Sequence, residues 1–167
     1  MTKTDNNLQE AFAGESQANR RYTFFADKAN KEGYTQIARL FRATAEAETV
    51  HARNHFNAMD GVGSTKANLN AGIIGEHQEF TGMYPRFIEQ ARTDQYRRAE
   101  VSFDWANKVE EVHHELFQAA LKDLESGEKM KDEPYFVCQS CGNTVAGEAP
   151  EICPICGSPR SAFKRVE

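Results

Sequence analysis

Two overlapping Glu-x-x-His pairs stand in EEVHHELF, residues 110–117: Glu110 with His113, and Glu111 with His114. A third, Glu48 with His51, lies in AEAETVHARNH. On a helix, residues i and i+3 are about 4.5 Å apart along the axis and share a face. Such a pair can offer a carboxylate and an imidazole to one cation. Near the C-terminus, Cys138-x-x-Cys141 and Cys153-x-x-Cys156 are separated by eleven residues. Each pair can bring two thiolates to one ion, and two pairs make an all-sulfur tetrahedral site. Gly142 and Gly157 follow the second cysteine of each pair, where glycine permits the tight turn that aims backbone N–H groups at sulfur. Paired CxxC motifs in a reducing compartment point to metal rather than to disulfides. Spacing alone favours zinc, and iron takes the same ligands.

Long helices would have to position the acids and histidines. Residues 5–126 contain one proline, Pro85, and the pattern predicts four helices. The first starts after a cap at Thr4 or Asp5 and ends before Gly33. The second starts after Thr35 and runs to about Met59. The third starts near Ser64 or Thr65 and runs to about Ala91. The fourth follows a break and cap at Thr93-Asp94 and ends at Ser126-Gly127. Pro85 is expected to kink the third helix or end it early. Composition changes near Pro134. After it come four cysteines, three glycines and four prolines, Pro134 included, in 34 residues. This predicts a helical domain over 1–133 and a small metal-stabilised module over 134–167, too short to fold on an apolar core alone.

Each predicted helix carries a seam with steps of three and four, as in a bundle. The first includes Phe12, Glu15, Asn19 and Tyr22; the second Phe41, Glu48, His51 and His55. The third includes Ile73, Glu76, Glu79 and Met83; the fourth Phe103, Glu110, His113 and Phe117. Shifting the fourth seam by one residue gives Asp104, Asn107, Glu111, His114 and Gln118, a solvent face. Glu110 and His113 are therefore expected to point inward, and Glu111 and His114 outward. His77 is also expected at the surface, and His55 as a hydrogen-bonded core histidine. Phe24, Phe25, Phe41 and Trp105 read as packing residues. Tyr22 and Tyr84 read as core aromatics, or as hydroxyls bonded to metal ligands.

Five seam carboxylates and two imidazoles near the helix middles raise a question of charge. An unpaired buried carboxylate costs several kcal/mol, and no Lys or Arg occupies the seams at these levels. Two divalent cations would bring +4 against the five negative charges. One Glu from each of two helices plus Glu-x-x-His from the other two is the ligand set of ferritin-like di-iron bundles. Here Glu15, Glu76, Glu48 with His51, and Glu110 with His113 supply it, and Glu79 is one acid beyond it.

The composition excludes several other classes. The 167 residues carry a net charge of −5 and are 40% apolar. This gives no support to nucleic-acid or anionic-membrane binding. No apolar run approaches the roughly 20 residues of a membrane span. The start, MTKTDNNLQEAF, lacks the apolar stretch of a signal peptide, so a cytoplasmic protein is expected.

Taken together, AFAGESQANRRY, AEAETVHARNH, GEHQEFTGMYP and VEEVHHELF, with CQSCG and CPICG, resemble the rubrerythrin family over essentially the whole chain. The resemblance implies a ferritin-like four-helix bundle followed by a rubredoxin-like domain. It implies two irons in the bundle, held by Glu15, Glu48, His51, Glu76, Glu79, Glu110 and His113. It implies one iron held by Cys138, Cys141, Cys153 and Cys156, where spacing alone left zinc open. It also implies a peroxidase that reduces hydrogen peroxide to water in oxidative-stress defence. Electrons would pass from a reductase or rubredoxin through the four-cysteine centre. Glu79 and His51 would exchange as ligands when the redox state changes. A homodimer is implied, with swapped helix pairs in some members. The same bundle ligands would also serve an iron-oxidising protein, or a metal-stabilised bundle carrying a zinc-ribbon interaction module.

Overall fold

The computed structural model describes residues 2–127 and 129–166. Its internal packing divides the chain between Gly63 and Ser64 into two units. Among the described residues, no helix is long and apolar enough to cross a membrane.

The first unit is a helical hairpin of α1 (Lys3–Lys31) and α2 (Thr35–Ala58). Thr2, rather than Thr4 or Asp5, caps α1: its hydroxyl accepts from Asp5 N–H, and Asp5 returns a carboxylate to Thr2 N–H. Thr35 is the first residue of α2 rather than its cap, because the turn is built by α1. Tyr34 N–H bonds Ala29 O and Gly33 N–H bonds Asn30 O, with Gly33 at φ +85°.

The residues that pack the hairpin are small. Ala18, Ala26 and Ala29 of α1 and Ala38, Ala45 and Ala52 of α2 are at most 9% exposed. The α2 alanines recur every seven residues, two helical turns, so they form one continuous stripe. The acid-bearing seam lies beside this stripe. Thus His51 is exposed, while its neighbour Ala52 is buried. Asn19 fastens the pair, its Nδ2 donating to Ala45 O at 2.6 Å and to Thr49 Oγ1 at 2.8 Å. Phe24 and Phe25, expected as packing, are exposed, although Phe25 still stacks edge-on against Phe41 at 5.5 Å.

The second unit begins with α3 (Thr65–Gln78), capped by the Ser64 hydroxyl. A π-helical turn, Glu79–Met83, leads straight into α4 (Tyr84–Thr93). The rod therefore does not end early at Pro85. Tyr84 N–H reaches back five residues to Glu79 O, so the four-residue ladder is already given up where the proline ring arrives. Thr93-Asp94 does not cap the next helix. It closes α4, and Tyr96 precedes α5 (Arg97–Ser126). Here Gln95, at φ +54°, plays the part that Gly33 plays in the first hairpin. Tyr96 N–H bonds Ala91 O, and Gln95 N–H bonds Arg92 O. The chain then forms β1 (Tyr135–Cys138), β2 (Thr144–Ala146) and β3 (Phe163–Val166), an antiparallel sheet ordered β2-β1-β3.

The two helical hairpins are versions of one another. Tyr22, Phe25, Ala29, Tyr34, Phe41, Glu48 and His51 recur 62 residues later as Tyr84, Phe87, Ala91, Tyr96, Phe103, Glu110 and His113. The aromatic triads match closely. Tyr22–Phe25, Tyr22–Phe41 and Phe25–Phe41 centroids lie 6.3, 6.1 and 5.5 Å apart. Tyr84–Phe87, Tyr84–Phe103 and Phe87–Phe103 lie 6.2, 6.3 and 5.5 Å apart. Glu15 recurs after only 61 residues, as Glu76. The one-residue difference falls between Glu76 and Tyr84, where the π turn absorbs an inserted residue.

The alanine stripe sets the approach of α1 to α2. Ala38→Leu, at a position with no exposure, should overpack it and destabilise the hairpin by about 1–3 kcal/mol. Thermal unfolding followed by circular dichroism checks this, with exposed Ala58→Leu as the control that should change little.

Candidate metal centres

Among the described residues, three groups of side chains gather ligand atoms within 4.8 Å of one another: Glu15, Glu48 and His51; Glu76, Glu110 and His113; and the four cysteines. The first lies wholly in the α1–α2 unit and the second wholly in the α3–α5 unit. Each helical hairpin thus presents its own triad of two carboxylates and one imidazole.

In the first triad, His51 Nδ1 stands 2.8 Å from Glu48 Oε2 and 3.8 Å from Glu15 Oε1. In the second, His113 Nδ1 stands 2.8 Å from Glu110 Oε2. The repeat places the same nitrogen of each imidazole toward the acid one turn earlier. Burial, the nearby Glu110 charge and a hydrogen bond with Glu110 push the Glu76 carboxyl up to about 7. The hydrogen bond with Glu110 raises the His113 imidazole. The second triad thus holds protons where a cation would otherwise balance the charge. Oxygen and imidazole donors of this kind suit iron, manganese or zinc, so the residues of each triad fit a metal ion.

Glu79 stands outside the triads. It occupies the first position of the π turn, half-buried, and burial and the Glu110 charge raise its carboxyl pKa. In the repeat its counterpart is buried Ala18, so the acid is particular to the second hairpin. Burial and the charges of Glu110, Glu79 and Glu76 raise the Tyr84 phenol. Tyr84 therefore keeps its O–H at neutral pH beside these acids. His55 is half-buried, and His77 is exposed as expected. His114 is not at the surface. It is half-buried, its Nδ1 lies 3.0 Å from Ile73 O on α3, and its ring stacks with His77 and Phe80. Asp104 and Asn107 are likewise half-buried, whereas Glu111 and Gln118 face water. Part of the expected solvent face of α5 thus packs within its own unit.

The cysteines lie in two knuckles. Cys138 Sγ is 3.6 Å from Cys156 Sγ, and Cys141 Sγ is 3.6 Å from Cys153 Sγ. Four thiolates about 2.3 Å from a central ion would sit about 3.7 Å apart, so the cage already has the size of a metal-sulfur tetrahedron. Both predicted glycines have positive φ, +90° at Gly142 and +76° at Gly157. Their N–H groups bond Cys138 O and Cys153 O. Burial pushes the Cys141 thiol up. Burial acts on Cys156 too, but the Ser158 hydroxyl and N–H outweigh it and hold Cys156 down at about 6.

One contact in the second unit has no signature in the sequence. Thr144 Oγ1, on β2, lies 2.9 Å from His113 Nε2. No spacing rule links residues 31 apart across a linker. The 62-residue repeat was open to detection by self-comparison of the sequence.

Glu76 and His113 both have raised pKa values, so a cation entering that triad must displace protons. A carboxyl at about 7 is mostly protonated at pH 6 and mostly ionised at pH 8. Metal-free protein should therefore lose this group's stabilising protonation as pH rises from 4.5 through 7. Once the cysteines have been filled, Co(II) should release more protons at pH 6 than at pH 8. An indicator dye in weak buffer measures the difference, and equal release at both values would contradict the assignment.

A family model described as rubrerythrin matches residues 6–121, and one described as rubrerythrin, rubredoxin-like domain matches residues 136–164. Rubrerythrin of Porphyromonas gingivalis is 38% identical over 182 aligned positions, covering 99% of this chain and 91% of that protein. Rubrerythrin of Nitratidesulfovibrio vulgaris is 35% identical, covering 98% and 94%. A solved structure of nigerythrin in a mixed-valence state aligns over 99% of this chain and 88% of its own, at 36% identity and a TM-score of 0.58. The chain belongs to the rubrerythrin family, with a ferritin-like di-iron carboxylate segment and a rubredoxin-like four-cysteine iron segment.

Proposed function

We propose that this chain is a peroxidase that reduces hydrogen peroxide to water, as part of oxidative-stress defence in the cytoplasm. The observation that carries the reading is the presence, in one chain, of two Glu/His triads and a four-thiolate cage. A two-electron reduction needs a centre that holds substrate and a centre that refills it one electron at a time. The balanced reaction takes one hydrogen peroxide, two electrons and two protons to two waters. The irons supply Lewis acidity and the electrons for breaking the O–O bond.

The residues divide the remaining work. Glu15, Glu48, His51, Glu76, Glu110 and His113 hold the metal pair, within the helical domain 1–133. The four cysteines, in the module 134–167, would hold one iron, which would supply one-electron chemistry fed by a reductase or a rubredoxin. With the metals bound, Glu79 and His51 would be alternative ligands for one position. Neutral imidazole suits the reduced ion, and the harder carboxylate suits the oxidised one. Tyr84 keeps its proton beside Glu76, Glu79 and Glu110, where its O–H can orient a carboxylate oxygen or a departing hydroxide. An iron-oxidising function would use the same triads but leaves the four-cysteine iron without a task.

Stopped-flow mixing of the fully reduced chain with hydrogen peroxide tests the reading. The thiolate-to-iron bands should appear in step with peroxide loss, and added Fe(II) should not compete. Oxidation of added Fe(II) in preference to the chain's own centres would overturn it. Glu79→Ala should keep its metals and slow peroxide turnover by about 10-fold or more. Unchanged turnover would remove Glu79 from the mechanism.

The assembly we propose is a homodimer with swapped helix pairs, in which the α1–α2 triad of one copy completes a centre with the α3–α5 triad of the other. A Glu48→Ala/His51→Ala chain and a Glu110→Ala/His113→Ala chain should each be inactive. Unfolded and refolded together, they should recover activity, because one of the two centres in a mixed dimer is then intact. Centres built within single chains would give no recovery.

A further inference from the structure

Two contacts bring the first cysteine knuckle against α5 in the same unit. The Cys141-Gly142 turn lies on Val109, where a Cβ added to Gly142 would be 3.7 Å from Val109 Cγ1. Val109 is 2% exposed, and His113 lies one helical turn further along the same face. Two residues past Gly142, Thr144 Oγ1 lies 2.9 Å from His113 Nε2 and 3.1 Å from Gly142 O. The other imidazole nitrogen, Nδ1, faces Glu110.

A hydroxyl accepts one hydrogen bond while donating another. With Gly142 O taking the hydroxyl proton, the Thr144 oxygen is left to accept. His113 Nε2 must then carry a hydrogen of its own, and the hydrogen that Nδ1 shares with Glu110 at 2.8 Å is the one an entering ion displaces to reach the Nδ1 lone pair. A metal-binding histidine commonly has its remote N–H held in this way, which fixes the tautomer and the ring angle. The partner here comes from the four-cysteine module and not from a neighbouring helix. Its own anchor, Gly142, directly follows the cysteine of the first knuckle.

We infer that Thr144 is a positioning residue for the helical metal centre: its hydroxyl holds His113 in the Nε2–H form with Nδ1 turned toward the ion. The inference rests on the proposal that His113 is a metal ligand. It further makes the folded four-cysteine module a requirement for full affinity at the α3–α5 triad of the same chain.

Full-length chain with its four-cysteine site filled is titrated with Co(II). Thr144→Val removes the acceptor at nearly constant volume and should weaken Co(II) binding at the helical site by 10–100-fold. Thr144→Ser restores a hydroxyl and should bind within a few-fold of the parent. The charge-transfer bands of the four-cysteine site should not change in either variant. A loss in Thr144→Ser as large as in Thr144→Val overturns the inference, as does no loss in Thr144→Val. A second measurement needs no variant. In Zn(II)-loaded chain, nitrogen-15 NMR should show the His113 Nε2 proton protected from exchange, and exchange at the rate of free imidazole overturns the inference. If no Co(II) binds any helical site of the parent chain, the ligand assignment itself fails, which is distinct from equal binding by parent and variant.

Discussion

Carboxylates gathered on half-buried helix faces repel one another, and what sits among them governs the rest of this molecule. In the second triad the balance is struck with protons, in the hydrogen bond between Glu76 and Glu110 and on His113. A divalent ion does the same work with a larger charge and fixed directions. Metal and hydrogen ions are therefore rivals for one position. The thiolate cage obeys the same logic, since four sulfurs 3.6 Å apart along its paired edges cannot all ionise without a cation between them.

The repeat explains why the acids are distributed as they are. Two hairpins with matched aromatic triads and matched Glu-x-x-His pairs yield two triads of one design. The departure from this symmetry is one inserted residue. A π turn is how a helix absorbs such an insertion without breaking. Here it also sets Glu79 at the turn's start, where the first hairpin has Ala18. The second hairpin thus carries one acid more than the repeat requires.

Much of this was legible in the chain before any coordinates. Residues at helical spacing, such as Glu48 with His51, share a face by geometry alone, so both triads and the cysteine cage could be named. The packing of α1 on α2 was not legible in the same way. A search for large apolar residues finds Phe41 and Tyr22, whereas the helices meet through Ala38, Ala45 and Ala52. The break before α5 was obscure because Gln95 adopts a left-handed backbone usually marked by glycine. His114 was placed in water because periodicity cannot see the Ile73 carbonyl on another helix. Thr144 lay beyond reach for the same reason, since its partner is set by how the sheet docks on α5.

The alanine contact between α1 and α2 has a thermodynamic corollary. Each methyl removes little surface from water, so the hairpin gains far less from its own seam than leucines would supply. Its large side chains, Leu40 and Ile37 among them, remain open to solvent. A hairpin so built draws little stability from its own seam, and whatever covers Leu40 and Ile37 supplies the burial that the alanines do not.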